Sequence, residues 1–88
     1  MIGLTRDLAQ QWGSRKGIRV NSLVPGFFVT EMTDQYDEDY LPKIQGRIVL
    51  DRMGELPEIA SSLLWLASDA STYVTGQTIV VDGGFTIT

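Results

Sequence analysis

The stretch GIRVNSLVPGFFVTEM, residues 17–32, decides the fold. Ile18, Val20, Ser22 and Val24 alternate with Arg19, Asn21 and Leu23, the two-residue period of a strand. Because Leu23 and Val24 make its end apolar on both faces, the pattern predicts a strand over 18–24 that is buried on two sides near its C-terminus, with helices over both faces. Pro25 has no N–H to give a ladder, so pairing is expected to stop there, while Gly26 frees the backbone and lets a ligand come close. In open α/β sheets ligands bind beyond the carboxyl ends of the strands, and Pro25–Gly26 is such an end. A planar amide set against the main chain of residues 27–29 could exchange paired hydrogen bonds with it, and the Thr30 hydroxyl adds a donor and an acceptor. Turn chemistry alone reads Pro-Gly after a strand as a plain turn more readily than as a ligand corner.

Upstream, Leu4, Leu8, Ala9 and Trp12 recur at helical spacing among Arg6, Asp7, Gln10 and Gln11. They predict a helix from residue 2 to about 12 with Gly13 as its stop, and Ser14 to Gly17 as a loop. Met1-Ile2-Gly3 offers no capping side chain, so the chain is expected to start inside the helix. Downstream, residues 33–50 carry a partial helical stripe of Tyr36, Tyr40, Leu41, Ile44 and Ile48, interrupted at Pro42, which suggests two short helices. After a turn at Arg52-Met53-Gly54, Pro57 and Glu58 suit the first turn of a helix, and Ile59, Ala60, Leu63, Leu64, Leu66 and Ala67 give it a broad apolar face. Leu56, just before Pro57, is a poor cap for that helix. QTIVVDGG then predicts a strand over 77–82 ended by Gly83 and Gly84.

The order is helix, strand, helical segment, helix, strand. A strand, a crossover and a second strand imply a right-handed connection and two parallel strands. Such a pair is part of a sheet, since parallel sheets have both faces and most edges covered. The fold class is therefore α/β, with two parallel strands that are a piece of a larger sheet.

Composition narrows the function. The 88 residues are 43% apolar and 20% charged, ordinary values for a globular chain. Without cysteine or histidine, disulfides and imidazole chemistry are excluded, and no metal site is expected. The net charge of −4, with Arg15, Lys16 and Arg19 as the only basic group, argues against nucleic acid. The acids Glu31, Asp34, Asp37, Glu38 and Asp39 read as a solvated helix start. The longest apolar cluster, Leu63 to Ala67, is far shorter than the roughly 20 residues a membrane helix needs, so the expected location is cytoplasmic, with no membrane partner.

GIRVNSLVPGFFVTEM followed by RMGELPEIASSLLWLASDASTYVTGQTIVVDGG resembles the C-terminal third of the classical short-chain dehydrogenase/reductase family over essentially the whole chain. The resemblance implies that residues 1–88 are a partial single domain, the C-terminal part of a Rossmann-like doubly wound parallel sheet, and it implies a nicotinamide cofactor, NAD or NADP, across the strand ends, with Pro25 and Gly26 near the nicotinamide. It implies that Phe28 meets the carboxamide through its main chain and that the Thr30 hydroxyl bonds the carboxamide or the pyrophosphate. Met32 and residues 33–52 would match the lid over a small carbonyl or alcohol substrate. The first helix and the last strand would lie at subunit contacts of a homo-oligomer.

The family's chemistry uses a tyrosine four residues before a lysine on one helix, and a serine from an earlier strand. Neither that pair nor a glycine-rich phosphate loop occurs here: Tyr36 precedes Tyr40 by four, Tyr40 precedes Lys43 by three, and no lysine follows Tyr73. No catalytic residue is assigned. The expectation is a fragment that supplies the nicotinamide corner and lid of an oxidoreductase and is inactive alone. The alternative is a non-catalytic interaction or assembly protein derived from that family, joining relatives through the Leu4, Leu8, Trp12 stripe and the last strand.

Overall fold

The computed structural model describes residues 1–29 and 40–88. The expectations for Thr30, Glu31, Met32, Asp34, Tyr36, Asp37, Glu38 and Asp39 lie outside the described residues. The elements are α1 (Ile2–Lys16), β1 (Ser22–Pro25), α2 (Tyr40–Gln45), α3 (Leu56–Ala67) and β2 (Thr78–Val81), with short 3-10 turns at Asp69–Ser71 and Phe85–Ile87. The two strands pair in parallel, Ser22 opposite Thr78 through Pro25 opposite Val81.

Helix α1 runs past Gly13 and stops at Gly17, whose φ of 64° is the left-handed cap geometry that glycine adopts without strain. The Gly17 N–H donates to the Gly13 carbonyl at 2.9 Å, and Arg15 and Lys16 place positive charge at the negative end of the helix dipole. A single interior glycine costs roughly 1 kcal/mol, too little to end a helix that a better cap four residues later completes. Of the expected stripe Leu4, Leu8, Ala9 and Trp12, Ala9 alone is buried. Thr5 and Ala9 are its buried residues, one turn apart, whereas Leu4 is 62% exposed. Small side chains let the helix lie close to the sheet: the Thr5 hydroxyl contacts the Ser22 hydroxyl and also donates to the Met1 carbonyl at 2.9 Å.

The strand expected over 18–24 begins only at Ser22, because the preceding residues bond through side chains. Asn21 Nδ2 donates to the Val74 carbonyl at 3.0 Å while its Oδ1 accepts from the Gln77 N–H at 3.1 Å, a side-chain copy of a ladder pair. Val20 N–H donates to Thr75 Oγ1, and its carbonyl accepts from Gly76 N–H at 2.7 Å. Pairing was expected to stop at Pro25, and β1 ends there with one backbone bond beyond it. Pro25 is in register with Val81, and the ladder continues because Gly26 N–H donates to the Val81 carbonyl at 2.9 Å. In a parallel ladder alternate residues point their own N–H away from the partner, so a proline at such a position loses nothing.

Pro42 lies inside α2, and the part of the expected helical stripe before Tyr40 lies outside the described residues. Helix α3 is capped one residue earlier than Leu56. Glu55 is the N-cap, and Glu58 Oε1 accepts from its N–H at 3.0 Å, half of a capping box.

Little apolar surface is enclosed. Among the described residues the buried apolar side chains are Ala9 and Ile48, while Leu56, Leu63, Leu64 and Trp65 of α3 are exposed, as are Val24 and Val80 on the sheet. Helices over both sheet faces were expected, but the exposure of Val24 and Val80 shows one face open among the described residues.

Candidate functional site

The two strands end side by side, and the chain leaving β1 is held there by backbone alone. Gly26 sits so close to β2 that a Cβ on it would come within 2.6 Å of Asp82 Cβ and 2.7 Å of Asp82 Cα. The bare Cα of Gly26 thus makes room for the neighbouring strand end. Asp82 closes the corner below: its carboxylate accepts from the Gly84 and Thr86 N–H groups, each at 2.9 Å. Hydrogen bonds from the Thr86 side chain and main chain, and from Gly84, hold the Asp82 carboxyl below the usual aspartate range.

Beyond Gly26 the chain pairs again, with the segment before α3. Gly54 N–H donates to the Phe27 carbonyl and Val29 N–H donates to the Gly54 carbonyl, both at 2.9 Å, so Phe28 and Gly54 form an isolated parallel bridge. In this pattern both bonds of the bridge come from the neighbours of Phe28. Its own N–H and C=O face away from Gly54, and no hydrogen bond reaches either among the described residues. A half-buried residue thus presents an adjacent donor and acceptor, the complement of a primary amide. Its ring lies over Gly54 and lines a small cleft of about 100 Å³ together with Phe27, Leu50, Arg52 and Asp82.

The cleft's charged wall is an ion pair. Arg52 Nη1 and Nη2 meet Glu58 Oε1 and Oε2 at 2.8 and 2.9 Å, a bidentate fork. The Arg52 hydrogen bonds, then the Glu55 N–H, lower the Glu58 pKa to about 2. A carboxylate depressed below its unfolded value stabilises the fold above that value, and the effect is lost as pH falls through the folded pKa. Acid titration followed by carboxyl NMR should therefore give Glu58 a midpoint near 2, and Arg52→Gln should move it upward; a midpoint in the ordinary glutamate range would break the assignment. The two side chains are 52% and 44% exposed, so solvent screens the pair and its net stabilisation is small.

Of the expected site residues, the structure brings Pro25, Gly26 and Phe28 to one strand end, and Thr30 lies outside the described residues. Tyr73 is fully exposed, and Tyr40 and Lys43 both lie on the short α2. The described residues contain no acidic cluster that could hold a metal ion, and no helix among them is long and apolar enough to cross a membrane. Sequence reasoning missed Gly54, Asp82 and Arg19. The Arg19 guanidinium collects the carbonyls of Leu66, Ser68, Ser71 and Val74, and so joins the segment before β1 to the end of α3 and the turn after it.

Residues 1–86 match the family model described as enoyl-(acyl carrier protein) reductase. The chain belongs to the classical short-chain dehydrogenase/reductase family. Among its relatives in this family, the 3-oxoacyl-(acyl-carrier-protein) reductase FabG of Staphylococcus epidermidis is 45% identical over 84 residues, covering 96% of this chain and 34% of that protein. A 4-hydroxyisoleucine dehydrogenase complexed with NADH superposes with a TM-score of 0.89 at 37% identity, over 99% of this chain and 36% of the other. A structure from Agrobacterium tumefaciens with bound NADP gives a TM-score of 0.90 at 37% identity, over 99% and 36%. The short-chain dehydrogenase/reductase chain described here thus spans about a third of the length of the relatives it matches.

Proposed function

We propose that these 88 residues form the nicotinamide-facing part of an NAD(P)-dependent oxidoreductase site that interconverts an alcohol and a ketone. The observation that carries this reading is the Phe28 main chain, whose N–H and C=O face away from the Gly54 bridge at the end of β1. A carboxamide needs one acceptor for its NH₂ and one donor for its C=O, and the pair at Phe28 supplies both. Pro25 and Gly26 set the bend, and the Thr30 hydroxyl adds a contact to the carboxamide or the pyrophosphate. When bound, the nicotinamide supplies or accepts the hydride; this chain's residues hold and orient its amide end.

The chain does not complete such a site by itself. No tyrosine is followed four residues later by lysine, and no glycine-rich phosphate loop is present in the 88 residues. The exposure of Leu63, Leu64, Trp65, Val24 and Val80 supports a surface made to meet further protein: the rest of a longer short-chain dehydrogenase/reductase fold and a second subunit. A cytoplasmic homo-oligomer acting on a small carbonyl or alcohol fits these features. The same exposed α3 face also suits a non-catalytic assembly role, in which the chain joins relatives without binding a cofactor.

A segment exchange tests the reading. The Staphylococcus epidermidis reductase with its matching third replaced by these residues should bind NADH or NADPH and reduce a 3-oxoacyl substrate, whereas the 88-residue chain alone should show no turnover. Thr30→Val in the exchange enzyme should raise the cofactor KM about tenfold, the loss expected for one or two hydrogen bonds. An exchange enzyme that assembles normally but binds no cofactor would favour the assembly role.

A further inference from the structure

Gly54 is not required by its own backbone conformation, since it is absent from the positive-φ glycines Gly17, Gly76, Gly83 and Gly84. What fills the space beside it is the Phe28 ring. A Cβ on Gly54 would come within 2.7 Å of Phe28 Cδ1 and 2.9 Å of Cζ, nearer than real contacts allow. The same glycine also holds the two peptides that flank Phe28, through Phe27 C=O and Val29 N–H. One residue therefore constrains Phe28 on three sides: the peptide before it, the peptide after it and the side chain.

We propose that Gly54 is a positioning residue for the nicotinamide end of the cofactor: by seating the Phe28 ring on its bare Cα, it fixes the direction of the Phe28 N–H and C=O. This inference rests on the reading that those two groups receive the carboxamide. Phe28 is placed against the carboxamide alone, and the one contact this chain offers the pyrophosphate is from Thr30, so an effect that runs through Phe28 is confined to the nicotinamide end. A methyl group at Gly54 would push the ring off its seat and turn the Phe28 peptides with it.

The test uses the exchange enzyme and two ligands that differ only in the nicotinamide: NADH against ADP-ribose, or NADPH against 2′-phospho-ADP-ribose. Gly54→Ala should weaken binding of the reduced cofactor about tenfold, the loss of one to two hydrogen bonds, and leave the ADP-ribose ligand unchanged. In a Phe28→Ala background, where there is no ring to displace, the same substitution should change cofactor affinity by less than about twofold, because coupling disappears when one partner is removed. Equal losses for both ligands, no loss at all, or a full loss in the Phe28→Ala background would each overturn the proposal. Should Gly54→Ala alone fail to fold, comparing Phe28→Ala with Phe28→Ala/Gly54→Ala decides: equal cofactor affinities support the ring as the route, and a gap overturns it. If the unsubstituted enzyme binds NAD(P)H no tighter than the matching ADP-ribose ligand, the carboxamide reading itself fails, a result independent of any change at Gly54.

Discussion

Gly26→Val should abolish the folded strand end. The first added atom would lie 2.6 Å from Asp82 Cβ and 2.7 Å from Asp82 Cα. Only part of that crowding is side chain, and the main chain of β2 cannot step aside without breaking the ladder that Gly26 itself continues to Val81. Overpacking of this kind costs about 1–3 kcal/mol when neighbours can adjust, and more when the obstacle is backbone. Asp82 also holds the Gly84 and Thr86 N–H groups, so a displaced Asp82 releases the turn after β2. In the exchange enzyme Gly26→Val should give insoluble or cofactor-free protein, and Gly26→Ala should lower the unfolding free energy by about 2 kcal/mol or more, read as a lower urea midpoint at unchanged slope. A Gly26→Val enzyme with wild-type stability would mean that the strand ends do not approach as described.

What the sequence made legible, and what it hid, divides by the range of the interaction. The alternation at Ile18–Val24 and the run Thr78–Val81 disclosed a parallel pair within an α/β fold, because strand periodicity is local. The Pro25–Gly26 corner was visible for the same reason. Arg19 and Asn21 carry strand-like spacing too, yet their partners lie 47–56 residues away and are mostly main-chain carbonyls, which leave no mark in a pattern of side chains. That is why the strand was expected four residues too early. The one available signal was at the other end: the last turn of α3 has no basic residue, so its carbonyls needed a donor from elsewhere. Gly13 was read as the stop because it is the first glycine after the apolar stripe, whereas the left-handed φ that ends the helix belongs to Gly17. In the site, the corner pointed to the main chain of residues 27–29 and the resemblance to Phe28. The bridge from Phe28 to Gly54 was not legible, because a pairing between residues 26 apart and a ring over a bare Cα have no sequence signature.

Arg19→Met should be the most damaging polar substitution in the described structure. Nη1 donates to the Ser71 carbonyl at 2.7 Å, to Ser71 Oγ at 3.0 Å and to the Val74 carbonyl at 3.2 Å; Nη2 donates to the Leu66 and Ser68 carbonyls at 3.1 and 3.3 Å. Ser71, only 1% exposed, is the most buried residue described, so water does not readily replace the lost donor there. Hydrogen bonds to a charged group contribute about 1.5–3 kcal/mol each, and carbonyls stranded without a partner add to the cost, so a loss of about 3 kcal/mol or more is expected even with partial relaxation. Methionine keeps most of the stem's packing, which isolates the guanidinium. Arg19→Lys should recover little, since one ammonium cannot reach carbonyls on both sides of the 3-10 turn that a planar fork spans. The measurement is urea unfolding of the exchange enzyme with hydrogen exchange at residues 66–77. Loss of protection there, with α1 still protected, is the expected pattern. A change below about 1 kcal/mol would show that α3 and the segment before β1 are held together by packing rather than by this guanidinium.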